Sequence, residues 1–251
     1  MSELRPRNPF IFSKTQHYNE KGVEEKGMVR HIDSELQALK DLALQMGGCV
    51  EKTLENACKA VAGPDDQYLE EVNRHEARIN DLQILIDESC VNVLAKQAPV
   101  AKDLRLVIAI SKINTDLERM GDQSVNITHS SRELHHSWPD APVPAQIHRM
   151  IDEVKSMVHL VLDAFARRDV ELSRQVLQRD DLIDELKDAL IEEMKEKMKA
   201  GDDQVEIGLA FIMIAKNLER LADHATNIAE EVIYLATGND IRHGHSVSAG
   251  S

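Results

Sequence analysis

Residues 114–127 read NTDLERMGDQSVNI, and residues 215–228 read AKNLERLADHATNI. Superposed, the two stretches share Leu, Glu, Arg, Asp, Asn and Ile in the same places. In each, a Glu precedes an Asp by four residues: Glu118 with Asp122, and Glu219 with Asp223. On a helix those side chains share one face, where like charges cost roughly 0.2–0.5 kcal/mol. Beside each pair runs a stripe at i, i+4, i+7 spacing. Ile113, Leu117, Met120, Ser124 and Ile127 form it in the first copy, and Ile214, Leu218, Leu221, Ala225 and Ile228 in the second. That period is the mark of a buried helical face. The two stretches predict one core helix built twice, each with an acidic edge.

The duplication extends outward. VLDAFARRDVELSRQVLQRD in the second half falls on ENACKAVAGPDDQYLEEVNRHE, 104 positions earlier, while the Glu/Asp pairs stand 101 positions apart. The small difference fits a longer turn around Pro99 in the first copy. Proline and glycine set the expected helices: about Met28 to Ala62, on to about Lys96 before Pro99, and about Val100 to Leu134. After the non-periodic HHSWPDAPVP come helices from about Ala145 to Arg167 and Asp169 to Ala200. A last one runs from the Gly201-Asp202 turn to about Thr237, with Gly238 as its C-terminal cap. The fold class is therefore all-α, two tandem, sequence-related antiparallel three-helix bundles. The expected division is a loose arm over 1–28, bundles over 29–137 and 145–238, a linker over 138–144 and a flexible tail over 239–251.

Composition agrees. Aromatics are only 3% of 251 residues, and Leu, Ala, Glu, Lys, Met and Gln dominate over strand formers. A net charge of −14 sets a field that repels phosphate backbones, so no nucleic-acid partner is expected. The same charge favours cations or basic protein surfaces. Cys49, Cys58 and Cys90 are an odd count without CxxC spacing and read as small hydrophobes. No apolar run is long enough to span a bilayer, and the N-terminus lacks the apolar core of a signal peptide. The expected location is cytoplasmic.

Each half carries a second pair on the preceding helix: Asp180 with Asp184, matched in the first half by Glu76 with Asn80. Measured along antiparallel helices from the turns near 98 and Gly201, Glu76 falls level with Asp122, Asp180 with Asp223, and Asp184 with Glu219. Those heights agree within about 3 Å at a rise of ~1.5 Å per residue. Each bundle thus gathers four oxygen-bearing side chains in one layer, and Asn126 and Asn227 add amides one turn on. Such a layer calls for a cation, or its charge passes onto protons. Oxygen-rich, sulfur-free sites suit magnesium, calcium, manganese or iron, with zinc also open. The alternative is a solvated acidic face that Arg119 and Arg220 neutralise. Gly47-Gly48, inside the first helix at the height of Glu76, reads as a close helix approach or as a local kink. His224, beside Asp223, reads as a metal ligand or as a histidine at the edge of the core.

With MGGCVEKTLENA, IDESCVNVLAKQAPVAKDLRLV, DLERMGD, VLDAFARRD and NLERLAD in order, the chain resembles the PhoU family of bacterial phosphate-signalling regulators, over roughly Ile32 to His243. The resemblance implies two three-helix bundles with E/DxxxD motifs, where some members hold iron or zinc-like metal clusters. Those motifs fall on Glu118/Asp122, Glu219/Asp223, Asp180/Asp184 and Glu76/Asn80. Asn80 replaces an acid and Ala222 stands opposite Gly121, so the two sites are expected to be unequal. The resemblance further implies a non-enzymatic, homodimeric negative regulator of phosphate uptake and of the phosphate-starvation response. It would join the ATPase subunit of the phosphate ABC transporter to the phosphate sensor histidine kinase, and meet the membrane only through those partners. Two other readings compete. One is a structural adaptor without metal. The other is a carboxylate-bridged metal oxidase, which needs Glu-x-x-His on two helices where this chain offers Glu133 to His136 alone.

Overall fold

The computed structural model describes residues 31–63 and 65–241. The expected arm over 1–28 and the tail beyond 241 lie outside the described residues. Seven α-helices follow in order: α1 His31–Ala62, α2 Asp66–Gln97, α3 Ala101–Ser137, α4 Ala145–Arg167, α5 Val170–Leu177, α6 Asp180–Lys197 and α7 Asp202–Thr237. A 3-10 turn, Met198–Ala200, joins α6 to the last turn. No strand occurs among the described residues.

The helix ends follow from local chemistry. Asp65 caps α2 by accepting from the Gln67 N–H at 2.9 Å, and Asp169 caps α5 by accepting from the Glu171 and Leu172 N–H groups. Gly238 ends α7 in the left-handed conformation that its φ of 78° requires, its N–H donating to the Tyr234 carbonyl. One expectation fails. The helix expected from Asp169 to Ala200 is interrupted at Gln178–Arg179, so Asp180 opens α6 instead of sitting mid-helix. Both residues keep right-handed dihedrals, but Arg179 turns its N–H to the Val176 carbonyl and its guanidinium to Glu153, 2.8 Å away on α4. Nothing in the local residue types forbids a helix there; the ladder is broken without a proline or glycine.

α1, α2 and α3 form one bundle; α4, the α5–α6 pair and α7 form its counterpart. The stripes expected for the core are buried in both: Ile113, Leu117, Met120, Ser124 and Ile127 on α3, and Ile214, Leu218, Leu221, Ala225 and Ile228 on α7. The two bundles then share one continuous apolar core, because α3 and α7 pack back to back. Lys112 meets Glu231 at 2.8 Å, and Asp116 meets Asn227 at 3.2 Å and His224 at 2.9 Å. Residue numbers rise on one helix as they fall on the other, so the helices run antiparallel and the two copies are related by a pseudo-two-fold near Gly121 and Ala222. Cys58 and Cys90 lie in the core, where burial pushes their thiols up to about 12 and about 11.

The second seam joins α1 to α4. Lys40 donates to the Ala166 carbonyl at 2.6 Å, and His159 meets Glu51 at 3.0 Å. Here the glycine pair differs from the sequence reading: the close approach is to α4 of the other bundle. A Cβ on Gly47 would stand 2.5 Å from Leu162 Cδ2, whereas one on Gly48 would meet nothing within 4 Å. Gly47 is therefore a packing requirement and Gly48 is not. Gly48→Ala is expected to raise stability by about 0.5–1 kcal/mol through helix propensity. Gly47→Val is expected to lower it by about 1–3 kcal/mol through overpacking. Denaturant midpoints of the two variants check this; shifts of the same sign would overturn it.

Candidate functional site

The acids lie where each core helix meets its hairpin partner, in the α2–α3 groove and in the α6–α7 groove. Their position follows from the helix period, since Glu118, Asp122, Glu219 and Asp223 sit just outside buried stripes. Gly121 brings the first groove together: a Cβ there would stand 3.0 Å from Ile79 Cδ1 on α2.

In the first groove Glu118 is raised above the ordinary carboxylate range, by burial first and then by the Asp122 and Glu76 charges. Glu76 is thus close enough across the hairpin to be felt. Asn80 donates its amide to Glu76 at 2.5 Å, so the Asn that replaces an acid relieves charge where a carboxylate would add it. Arg119 spans Glu118 at 3.5 Å and Asp122 at 3.4 Å from the solvent side.

The second groove is more acidic. Burial raises Asp180, and Asp184, Asp181 and Glu219 raise it further; burial raises Asp223, and Glu219, Asp180 and Asp184 add to that. All four acids paired by height in the sequence therefore act on one another. Lys187 is the residue that sequence reasoning missed. Its ammonium donates to Asp184 at 2.6 Å and to Glu219 at 3.2 Å, and those bonds raise its own pKa. Its spacing of three residues after Asp184 was the available signal.

Two expected contributors point elsewhere. Asn227 turns its amide away to Asp116 across the α3–α7 seam, and His224 hydrogen-bonds Asp116 through Nδ1. Asn126 is exposed.

The donor set is that of a hard cation site: carboxylates and an amide, without sulfur. The raised carboxyls reflect partial burial first and like-charged neighbours second. In the arrangement seen, no three His, Cys, Asp or Glu side chains among the described residues converge closely enough to hold a metal ion. Lys187 occupies the interval between Asp184 and Glu219. An ammonium does there, in part, what a cation would do.

A carboxyl raised by folding holds its proton more tightly in the native state. Its contribution favours folding at low pH and is lost as pH climbs from the ordinary carboxylate range through the raised value. In metal-free protein, Asp223→Asn is accordingly expected to raise the denaturant midpoint at pH 7, with the gain shrinking towards pH 4. Lys187→Met is expected to lower it at pH 7, because Asp184 and Glu219 then face Asp180 and Asp223 without the ammonium. Differences from the wild-type midpoint that do not change with pH would show that folding does not perturb these carboxyls.

A family model described as "PhoU domain" matches the chain twice, over residues 43–130 and 147–232, one match in each bundle. A phosphate-specific transport system accessory protein PhoU homolog of Pseudomonas putida is 36% identical over 225 residues, covering 88% of this chain and 88% of its own length. The crystal structure of PhoU from Pseudomonas aeruginosa superposes with a TM-score of 0.80 at 35% identity, over 83% of this chain and 100% of that one. That of the phosphate transport system regulatory protein PhoU from Streptococcus pneumoniae superposes with a TM-score of 0.76 at 32% identity, over 84% and 99%. With both copies matched, a relative 36% identical over most of both chains and two solved structures superposing along the chain, the chain belongs to the PhoU family.

Proposed function

We propose that this chain is an accessory protein of a phosphate transport system, acting in the cytoplasm as a negative regulator of phosphate uptake and of the phosphate-starvation response. In this reading it is a non-catalytic, homodimeric adaptor. It joins the ATPase subunit of the phosphate ABC transporter to the phosphate sensor histidine kinase. The observation that carries it is the family match over both bundles, together with the names of its members: a transport-system accessory protein in P. putida and a transport-system regulatory protein in S. pneumoniae. The net charge of −14 supports docking onto basic protein surfaces. No described helix is long and apolar enough to cross a membrane, which supports contact with the membrane through partners.

Metal belongs to the same proposal. Asp180, Asp184, Glu219 and Asp223 would take a divalent or trivalent ion, iron or zinc, with Lys187 swung aside. Glu76, Asn80, Glu118 and Asp122 would hold a weaker one. Support comes from the raised carboxyls and the all-oxygen donor set. The chemistry that such an ion supplies here is charge neutralisation, which tightens each hairpin.

Two measurements test these readings separately. Purified protein at low salt is expected to retain both the ATPase subunit and the cytoplasmic part of the kinase; retention of neither ends the adaptor mechanism. Elemental analysis of protein purified without chelator is expected to find stoichiometric metal that is lost in Glu219→Ala/Asp223→Ala. The melting temperature of the wild type is expected to rise with added metal, since a ligand bound only to the native state stabilises it. Equal, negligible metal in both proteins would remove the metal and leave the adaptor.

A further inference from the structure

The two copies provide an internal control for what the fold itself demands. Between α2 and the α5–α6 pair the core is kept position by position at the 104-residue offset: Val72 with Val176 on α5, then Ile79 with Ile183, Leu82 with Leu186, Ile86 with Leu190 and Cys90 with Met194 on α6, all buried. The outer faces differ. On α2, Ile84 is 60% exposed and Val91 is 65% exposed, with Leu85 and Leu94 also exposed beside them. Their counterparts on the outer face of α6 include Asp188, Ala189 and Lys195, likewise exposed. Met198, the counterpart of Leu94, stays apolar and packs against the core, but Ile84 and Val91 are matched by Asp188 and Lys195, so a helix in the same place in the same bundle needs no aliphatic residue at those two positions. Four of the large aliphatics exposed among the described residues nevertheless fall within eleven consecutive residues of α2. Scattered exposed aliphatics are ordinary, but a clustered, helix-length patch marks a contact surface.

The chemistry around the patch selects its partner. Asp81, Ile84, Glu88 and Val91 follow one another at i, i+3, i+7 and i+10, so acids and aliphatics share a single stripe. Asp87, Glu88 and Val91 line a surface hollow of about 350 Å³ beside it. Asp87 accepts from the Asn114 amide, and no lysine or arginine lies between Asp81 and Lys96 on the helix. A second copy of this chain seated on the stripe would bury the acids of both without a cation, at a cost its aliphatics would have to overcome. A segment with Lys or Arg flanking an apolar face matches it instead, and an exposed helix face is complemented by another helix.

We infer that the outer face of α2, over residues 81–94, is a docking surface for a basic amphipathic helix of a partner protein. This rests on the comparison of the two copies and not on the adaptor reading, which could fail while the surface stood.

The test uses the full chain and a synthetic helical peptide with Leu at i, i+3, i+4 and i+7 and Lys elsewhere, beside a twin with Glu in place of Lys. The variant Ile84→Asp/Val91→Lys installs the residues of α6 and leaves the net charge unchanged. The basic peptide is expected to bind the wild type saturably and the variant at least tenfold more weakly, while the acidic twin binds neither. Glu88→Gln is expected to weaken binding and flatten its salt dependence. Leu209→Ser/Met213→Ser, on exposed α7 positions, is expected to leave binding unchanged. Should Ile84→Asp unfold the protein, Leu85→Ala/Val91→Lys carries the same expectation. Three results overturn the inference: no binding, equal binding to wild type and variant, which would be diffuse attraction to the acidic body, or a wild-type oligomer that the substitutions dissociate, which would place a second copy on the face.

Discussion

Everything in the molecule hangs on the packing of α3 against α7. Alone, each bundle would leave the partner-facing side of its longest helix exposed. Joined, the buried faces of both copies close into one core. The contact is antiparallel and runs between repeated segments, so the copies face each other across a pseudo-two-fold. Polar pairs guard its rim, with Asp116 held by both His224 and Asn227 and Lys112 by Glu231. The α1–α4 seam repeats the arrangement on a smaller scale, where Gly47 leaves room for Leu162.

That core explains how the acids are tolerated. A fully buried Leu or Ile contributes about 1.5–3 kcal/mol, against a few tenths for one like-charge pair at a helix surface. Ten residues of the two stripes are buried, so the carboxylates on their flanks are a modest burden carried by a large surplus. The grooves use different means to lighten it: an asparagine and an arginine in the first, a lysine between two acids in the second. Their inequality is a matter of which neutral or cationic group was placed among the oxygens.

Much of this was legible in the residues. The stripes reported the core because burial follows the helical period, and the heights of the acids followed from rise per residue in antiparallel hairpins. Asp180 and Asp223 do feel each other, as do Glu76 and Glu118. What was not legible depended on neighbours from elsewhere in the chain. At the break at Gln178–Arg179 the Arg179 side chain reaches Glu153 on α4, and no local helix-breaker announces the interruption. Gly47 signalled a close approach, but a glycine does not name the helix that approaches. Asn227 and His224 share a helix with Asp223 yet turn to Asp116, since they lie about 40° and about 100° round the helix from it on the side that faces α3.

The polar rim of the α3–α7 seam has a consequence for how two look-alike halves assemble. The positions in the other copy that correspond to Lys112, Asp116, His224 and Glu231 are Met213, Asn217, Gln123 and Ser130. One end of the seam is ionic and its mirror end is not. If α3 paired with the α3 of a neighbouring chain, Lys112 would find Ser130 and Asp116 would find Gln123 and Asn126, and every ion pair would be lost. The charges therefore act as a key that distinguishes a chain's own second half from a stranger's first half.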